Sequence, residues 1–457
     1  MGNLGQEAIV IGASMGGLLA ARALSGHFDR VTVLDRDALP EGAQARKGVP
    51  QGRHPHGVLA RGSRTLAELF PGFDDDVLAA GGKIGDIAET CLWYNFGVAL
   101  KRAPSPIVGY LISRPALEAC VRRRVAALPN VRIEAGTEVA SLRFDAVNCR
   151  VTGVNARPAG GGATPAPRPA NLVIDASGRG SRSPAWLEAL GYCAPAEEKV
   201  EVGIAYMSRE FRRRPQDAPG LDAMVIAACE PDWRLGVMLN REDNGWMVVL
   251  GGYFGDAAPA DDAGYLAFAR SLQRPDIYDV IKDAEPLSAP VRYQFPASQR
   301  RRSERLARFP DGYLVFGDSV CSFNPIYGQG MSVAAMEANA LLACLDKGSA
   351  GLSRRFFKAM AKVVDVPWQL AVGADLAHPK VEGQRPAPVR FINWYVAKLY
   401  RAGEADSWLA ERFLMVANLL RPPVSLFAPG VLWRVFRGTR PEAAPTLAAA
   451  LGRARTA

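Results

Sequence analysis

Apolar and polar positions along this chain switch between a period near two and a period near 3.6, and the switches predict its elements. Residues 8–11, AIVI, form a short, wholly apolar run, as expected of a strand buried on both faces. GASMGG and then LLAARAL follow, small and apolar at helical spacing, and 31–35, VTVLD, reads as a second buried strand. A helix is predicted over 60–70, and 71–85 reads as a connection rich in Gly and Asp. Strands are predicted at 91–100, 107–112, 131–133, 138–144, 149–155 and 172–175. Between them, Ser113-Arg114-Pro115 opens a helix whose Leu117, Cys120, Val121, Val125 and Leu128 keep one face. The Pro/Gly/Ala-rich tract 156–170 reads as a loose hairpin tip, since a strand resumes directly after it.

From 201 to 253 the pattern alternates strictly and predicts antiparallel strands, with Asn244-Gly245 as a hairpin turn. A helical piece over 263–283 and a strand at 291–295 follow. The buried strand 313–316 then leads through GDSVCSFNPIYGQGM, 317–331, into an apolar helix over 332–345. Beyond 345 nearly everything is helical and punctuated by proline, with aromatic residues alternating with arginines. Such a region is expected to pack as a cap, and a membrane surface is the alternative partner for its amphipathic helices.

Composition changes this picture little. At 457 residues, 49% hydrophobic and 22% charged, the chain is long enough for two or three domains with filled cores. The net charge of +9 is spread out, with short clusters at Arg122–Arg124, 212–214 and 300–302 and no nucleic-acid-binding signature, so nucleic acid is set aside. Seven cysteines stand singly, without C-x-x-C pairs, which suits a reduced, cytoplasmic chain. Residues 8–24 lack the basic flank of a signal peptide, and no apolar run is long enough to span a bilayer.

The strongest chemical pattern is GASMGG, because it joins a buried strand to a helix and an acid, Asp35, closes the next strand. In a dinucleotide-binding β-α-β unit Gly12 makes the tight turn, Gly17 permits close helix–strand packing and Asp35 accepts ribose hydroxyls. Ser14 stands where the middle glycine belongs and is small enough for a pyrophosphate to approach. A second pattern puts Asp318 after a buried strand, then Gly328 and Gly330, then a helix start whose free N–H groups favour negative charge. A third, DASGRGSR from Asp175, is another Gly-rich turn after a strand. His54 and His56 lie in the loop 36–58; no third ligand stands nearby, so no metal is expected, and a loop over the cofactor fits better.

In their order, GASMGG with Asp35, the Asp175 turn, and Gly317-Asp318 with Pro325 and Gly328-Gln329-Gly330 resemble one family: the FAD-dependent monooxygenases of the para-hydroxybenzoate hydroxylase type. GVPQGRHPHGV, SRPALE and FNPIYGQGM look most like a bacterial, polyether-epoxidase-like branch of it. The resemblance implies an α/β fold: a Rossmann-like FAD-binding domain (1–85, 105–195 and 300–345), an inserted antiparallel β-sheet substrate domain (86–104 and 196–299) and a C-terminal helical region (346–457). It implies that Gly12, Ser14, Met15, Gly16 and Gly17 hold the pyrophosphate, Asp35 the ribose, and Arg114 a phosphate or the ribityl chain. Arg36 and Arg46 count among the cofactor-binding residues, Val139 meets adenine through its backbone, and Asp175 belongs to a turn tied to both FAD and NAD(P)H. Asp318 would take the ribityl end, and Pro325, Gly328, Gln329, Gly330 and Met331 the isoalloxazine.

The implied activity is monooxygenation through a flavin C4a-hydroperoxide, epoxidising or hydroxylating an apolar or aromatic small molecule of secondary metabolism. O2 is the co-substrate, and electrons come from NAD(P)H or from a separate flavin reductase. His54, His56 and Tyr327 are the candidate catalytic side chains, since hydroxylating a phenol benefits from a base. The alternatives are a flavin-dependent halogenase or polyprenyl-type reductase on the same scaffold, and a non-catalytic flavin-binding or membrane-docking protein. Against the halogenase, its W-x-W-x-I-P signature is absent and no lysine stands in a matching loop.

Overall fold

The computed structural model describes residues 2–437 apart from Pro55; Met1, Pro55 and the 438–457 part of the predicted helical region lie outside the described residues. Five strands form a parallel sheet in the order Tyr313–Val315, Leu172–Asp175, Gly5–Ile11, Phe28–Leu34 and Val131–Glu134. Their apolar runs are continuous because both faces are covered. The helices Met15–Leu24 and Gly330–Leu345 share one core with them, and Leu18, Leu19, Val31 and Leu341 are wholly enclosed. This sheet is the Rossmann-like part of an α/β fold, and its strand ends open toward one edge of a second sheet.

The second sheet has eight strands in the order Cys321–Ser322, Val291–Arg301, Glu197–Arg212, Gly245–Gly252, Arg234–Asn240, Ala223–Ile226, Cys91–Asn95 and Val98–Ala99. Pairing is antiparallel except between Ala223–Ile226 and Cys91–Asn95. One face packs on the helices Asp262–Arg270 and Asp276–Ile281, around Trp246, Tyr265 and Ile277. The other face carries Tyr206, Leu235, Val249 and Phe295 toward Leu376 and Val381 of the C-terminal region. That region holds the helices Leu352–Asp375, Ala387–Ala402, Ser407–Ala417 and Pro429–Arg437.

Four sequence expectations change. The connection 71–85 contains a helix, Phe73–Ala79, and a strand, Lys83–Asp86. Three successive aspartates in the helix's first turn suit the positive end of its dipole, while Phe73 and Val77, four apart, are both enclosed. The predicted strand 91–100 is a hairpin, turned at Phe96 and Gly97, both with positive φ. Ala166–Pro169 pairs back on Arg150–Pro158, so the loose tip shrinks to Gly160–Gly162 and its neighbours. The helical piece 263–283 is two helices separated at 271–275, where Pro275 interrupts it.

Candidate functional site

A single continuous cavity of roughly 1630 Å³ runs from the ends of the parallel strands to the space between the second sheet and the C-terminal helices. That exceeds the ~300–1,000 Å³ usual for one small ligand, so two molecules can lie in it end to end. Two helix N-termini open into it. Ser14 precedes one and Gln329 the other, and neither side chain caps its helix, so the first-turn N–H groups stay free for an anion.

At the first terminus Gly12 has φ +100°, and a Cβ there would stand 2.7 Å from the carbonyl oxygen of Ala176. Only glycine fits that turn. Gly17 lies outside the cavity wall; a Cβ on it would meet the Gly12 carbonyl at 1.7 Å, so its part is to let helix and strand touch. The Asp35 carboxylate accepts from the Ala13 N–H at 2.6 Å and the Asp37 N–H at 2.8 Å.

An ionic cluster of buried groups surrounds this turn. Arg46 donates to Asp37 at 2.9 Å and to Glu118 at 3.1 Å, and Arg114 donates to Ser14 Oγ at 2.8 Å and pairs with Glu118 at 3.1 Å. One nitrogen of each guanidinium, Arg46 Nη2 and Arg114 Nη1, is buried without any partner. Burial pulls the pKa of Arg114 down from the usual arginine range, with Glu118 and Asp318 opposing. A bound anion would oppose it further and satisfy both orphaned donors, so the cradle fits the pyrophosphate of a dinucleotide. Arg36 and Val139 line the same end of the cavity.

At the second terminus Asp318, Pro325, Tyr327, Gly328, Gln329, Gly330 and Met331 all line the cavity. Asp318 is open to the cavity by its accessible surface, yet the protein around it desolvates the carboxyl and pushes it up from its ordinary range, and the guanidinium groups of Arg114 and Arg179 pull it back down. Gly328 takes φ +65° with almost nothing near its missing Cβ, which leaves room for a flat ring. Behind this loop Glu337 accepts from the Gly317 N–H at 2.8 Å, and burial pushes its pKa up to about 8.

The remaining expected residues fall in different places. His56 lines the cavity and its Nδ1 lies 2.8 Å from the His54 carbonyl; burial and then Arg114 lower its pKa to about 3, so the ring is neutral. His54 is not in the cavity wall. It packs against the stacked rings of Tyr206 and Tyr293, its Nδ1 lies 2.7 Å from Ser208 Oγ, and burial lowers its pKa to about 4. Asp175 is also withdrawn: it is fully buried and accepts from Ser177 N, Ser181 Oγ and Tyr313 OH, so it shapes the turn whose Ala176 to Gly180 reach the cavity. Tyr327 donates at 2.8 Å to Asp375, which also accepts from Tyr253 OH and Asn324 Nδ2, each at 2.8 Å. Burial holds the Asp375 carboxyl up at about 6, and its Oδ2 has no partner.

No family model matches the chain. Protein Rv3254 of Mycobacterium tuberculosis is 36% identical over 441 residues, covering 92% of this chain and 91% of its own length. The chain belongs to the family of Rv3254. Solved structures are more distant in sequence and show what fold this Rv3254 relative has. The flavin-dependent brominase Bmp2 superposes with a TM-score of 0.65 at 12% identity, covering 91% of this chain and 93% of that one. PqsL, a probable FAD-dependent monooxygenase from Pseudomonas aeruginosa, gives 0.58 at 16%, covering 82% and 97%, and the flavin-dependent halogenase CmlS gives 0.60 at 17%, covering 91% and 76%. The fold is therefore the one these flavin-dependent monooxygenases and halogenases share.

Sequence reasoning missed Glu118, Arg179 and Asp375; Tyr253 was legible only as one of the sheet's aromatic residues suggesting an apolar pocket. Glu118 had a signal, since it stands four residues after Arg114 on one helix face. Asp375 had a weaker one, an acid in the apolar stretch LAVGADLA. Arg179 had one too, since it stands between Gly178 and Gly180 in the turn DASGRGSR.

Proposed function

We propose that this protein is an FAD-dependent monooxygenase acting on an apolar or aromatic small molecule. One observation carries the reading: the cradle with two unpartnered guanidinium donors and the apolar chamber beneath the C-terminal helices are one cavity. Ser14, Arg46 and Arg114 hold the pyrophosphate, Asp35 the ribose and Asp318 the ribityl chain. Gly328 would leave room for the ring, and the N–H groups of Gly330 and Met331 would favour negative charge on it. FAD, when bound, supplies O2 activation, with NAD(P)H or a partner reductase as the electron source. The chain's own work is to bind, orient and exclude water, through Trp93, Trp233, Leu235 and Phe413 in the cavity wall.

Epoxidation, as in the polyether-epoxidase-like branch, suits that apolar wall, because it needs no side-chain base. Hydroxylation of a phenol is the second reading, favoured by the hydroxyls of Tyr253 and Tyr327 in the wall, both held by Asp375, which can take up a proton. The halogenase alternative is less well supported, since no lysine side chain lines the cavity among the described residues.

The test is FAD occupancy and oxygen consumption of the purified protein. Asp318→Ala is expected to lower FAD retention by about tenfold, the effect of losing one polar contact to the cofactor. A parent protein that stays colourless in excess FAD would overturn the flavin reading, and full retention by the variant would remove Asp318 from the site.

A further inference from the structure

Large apolar side chains at the surface concentrate in the C-terminal helices. Phe391, Ile392, Trp394, Val424, Trp433 and Phe436 are each 44–69% exposed, and they make up six of the eleven exposed large hydrophobic residues among the described ones. They are not scattered. The Phe391 and Trp394 rings lie 5.7 Å apart, and Trp394 lies 6.3 Å from Phe436, so the helices Ala387–Ala402 and Pro429–Arg437 present one aromatic patch. Those two helices carry Arg390, Lys398, Arg401, Arg434 and Arg437 and no carboxylate. Lys398 lies over the Trp394 ring at 5.3 Å and Arg437 over Trp433 at 4.6 Å, so the cations frame the aromatics.

The patch also reaches the cavity. Asn393, Val396 and Tyr400 of the Ala387–Ala402 helix line the cavity, while Phe391, Trp394 and Lys398 face outward. Ile392 belongs to both surfaces: it is 44% exposed and stands in the cavity wall.

We propose that this face docks on an anionic lipid surface and that the substrate is a lipophilic molecule entering the cavity from the bilayer past Ile392. Aromatic side chains ringed by cations match the interfacial zone of a membrane, where rings sit at headgroup depth and Lys and Arg meet lipid phosphates. The charge complementarity favours this occupant over a second copy of the same basic face, which would repel it. The docking half stands alone; the substrate half rests on the monooxygenase reading.

The experiment is flotation of the full chain, loaded with FAD, with vesicles of phosphatidylcholine alone or mixed with phosphatidylglycerol. Binding to the mixed vesicles is expected, with weakening in salt. The pairs Phe391→Ser with Trp394→Ser, and Trp433→Ser with Phe436→Ser, should each weaken it by about tenfold or more. Lys398→Gln, which leaves the aromatics in place, should cost about fivefold on anionic vesicles. Equal binding to both vesicle types, no binding, or unchanged binding by the variants would overturn the proposal. A dimer broken by the same substitutions without vesicle binding would assign the face to a second copy. Binding only by a chain ended at Arg437 would assign it to the chain's own last residues. Flavin absorbance separates the two readings: a yellow protein that fails to float sinks the docking and leaves the flavin reading, and a colourless one that floats sinks the flavin chemistry and the substrate half with it, leaving the docking.

Discussion

Glu337 shows how a single buried group ties the site to pH. Its carboxyl is 1% exposed beneath the Gly317 turn, and burial lifts its pKa from 4.5 to about 8, with Asp318 adding to the rise and the Gly317 N–H opposing it. Between those two values the folded state binds a proton that the unfolded state has released, so stability falls as pH rises through that window. The slope from this one group is at most about 1.4 kcal/mol per pH unit. Glu337→Gln can still accept from Gly317 but does not titrate, so urea denaturation at several pH values should show the parent's stability relative to the variant's falling as pH rises from about 4.5 to about 8. Parallel curves would mean that Glu337 is ionised at neutral pH. His56 acts in the opposite sense: its pKa falls from 6.5 to about 3 on folding, so its contribution makes stability rise with pH between those values and levels off only above neutrality.

Among the elements, the helix Leu352–Asp375 matters more to the site than its position late in the chain suggests. Its first turns join the main core through Phe356, Phe357 and Met360, and its last residue places Asp375 under the site loop. There one carboxylate fixes Tyr253, just past the strand Gly245–Gly252, together with Asn324 and Tyr327 of the loop. Asp375→Ala would leave the buried Asn324 and Tyr253 and the half-buried Tyr327 without their acceptor and should destabilise the fold by about 3 kcal/mol, measured by urea denaturation. Asp375→Asn, which keeps one carbonyl oxygen, should cost less. An alanine variant as stable as the parent would mean that the three donors find other partners.

At the scale of the whole molecule, the cavity separates the two sheets and the C-terminal helices, so its contents help hold them together. FAD that binds only the folded state stabilises it by mass action, about 2.7 kcal/mol at a free concentration a hundredfold above Kd. The flavin-stripped protein should therefore melt lower than the loaded one, and the gap should widen with added FAD. Identical melting with and without FAD would indicate no binding.

Local pattern carried the parallel-sheet half of this protein. Gly12, Asp35 and Asp318 are legible because a strand, a tight turn and a helix start within a few residues leave little freedom in what they build. The alternating strands after 201 were legible for the same reason, since period two shows which face is buried. The sequence also contained Asp175 and His54, but not where they point: one is turned inward by serines 177 and 181, the other packs against Tyr206 and Tyr293. Arg179, Tyr253 and Asp375 meet the loop 318–331 from well outside it: Arg179 acts on Asp318, 139 residues on, while Tyr253 and Asp375 reach Tyr327 across 74 and 48. Which of them share a cavity was decided by how two sheets and one helix pack, because close packing across layers depends on shape and volume that no local period encodes.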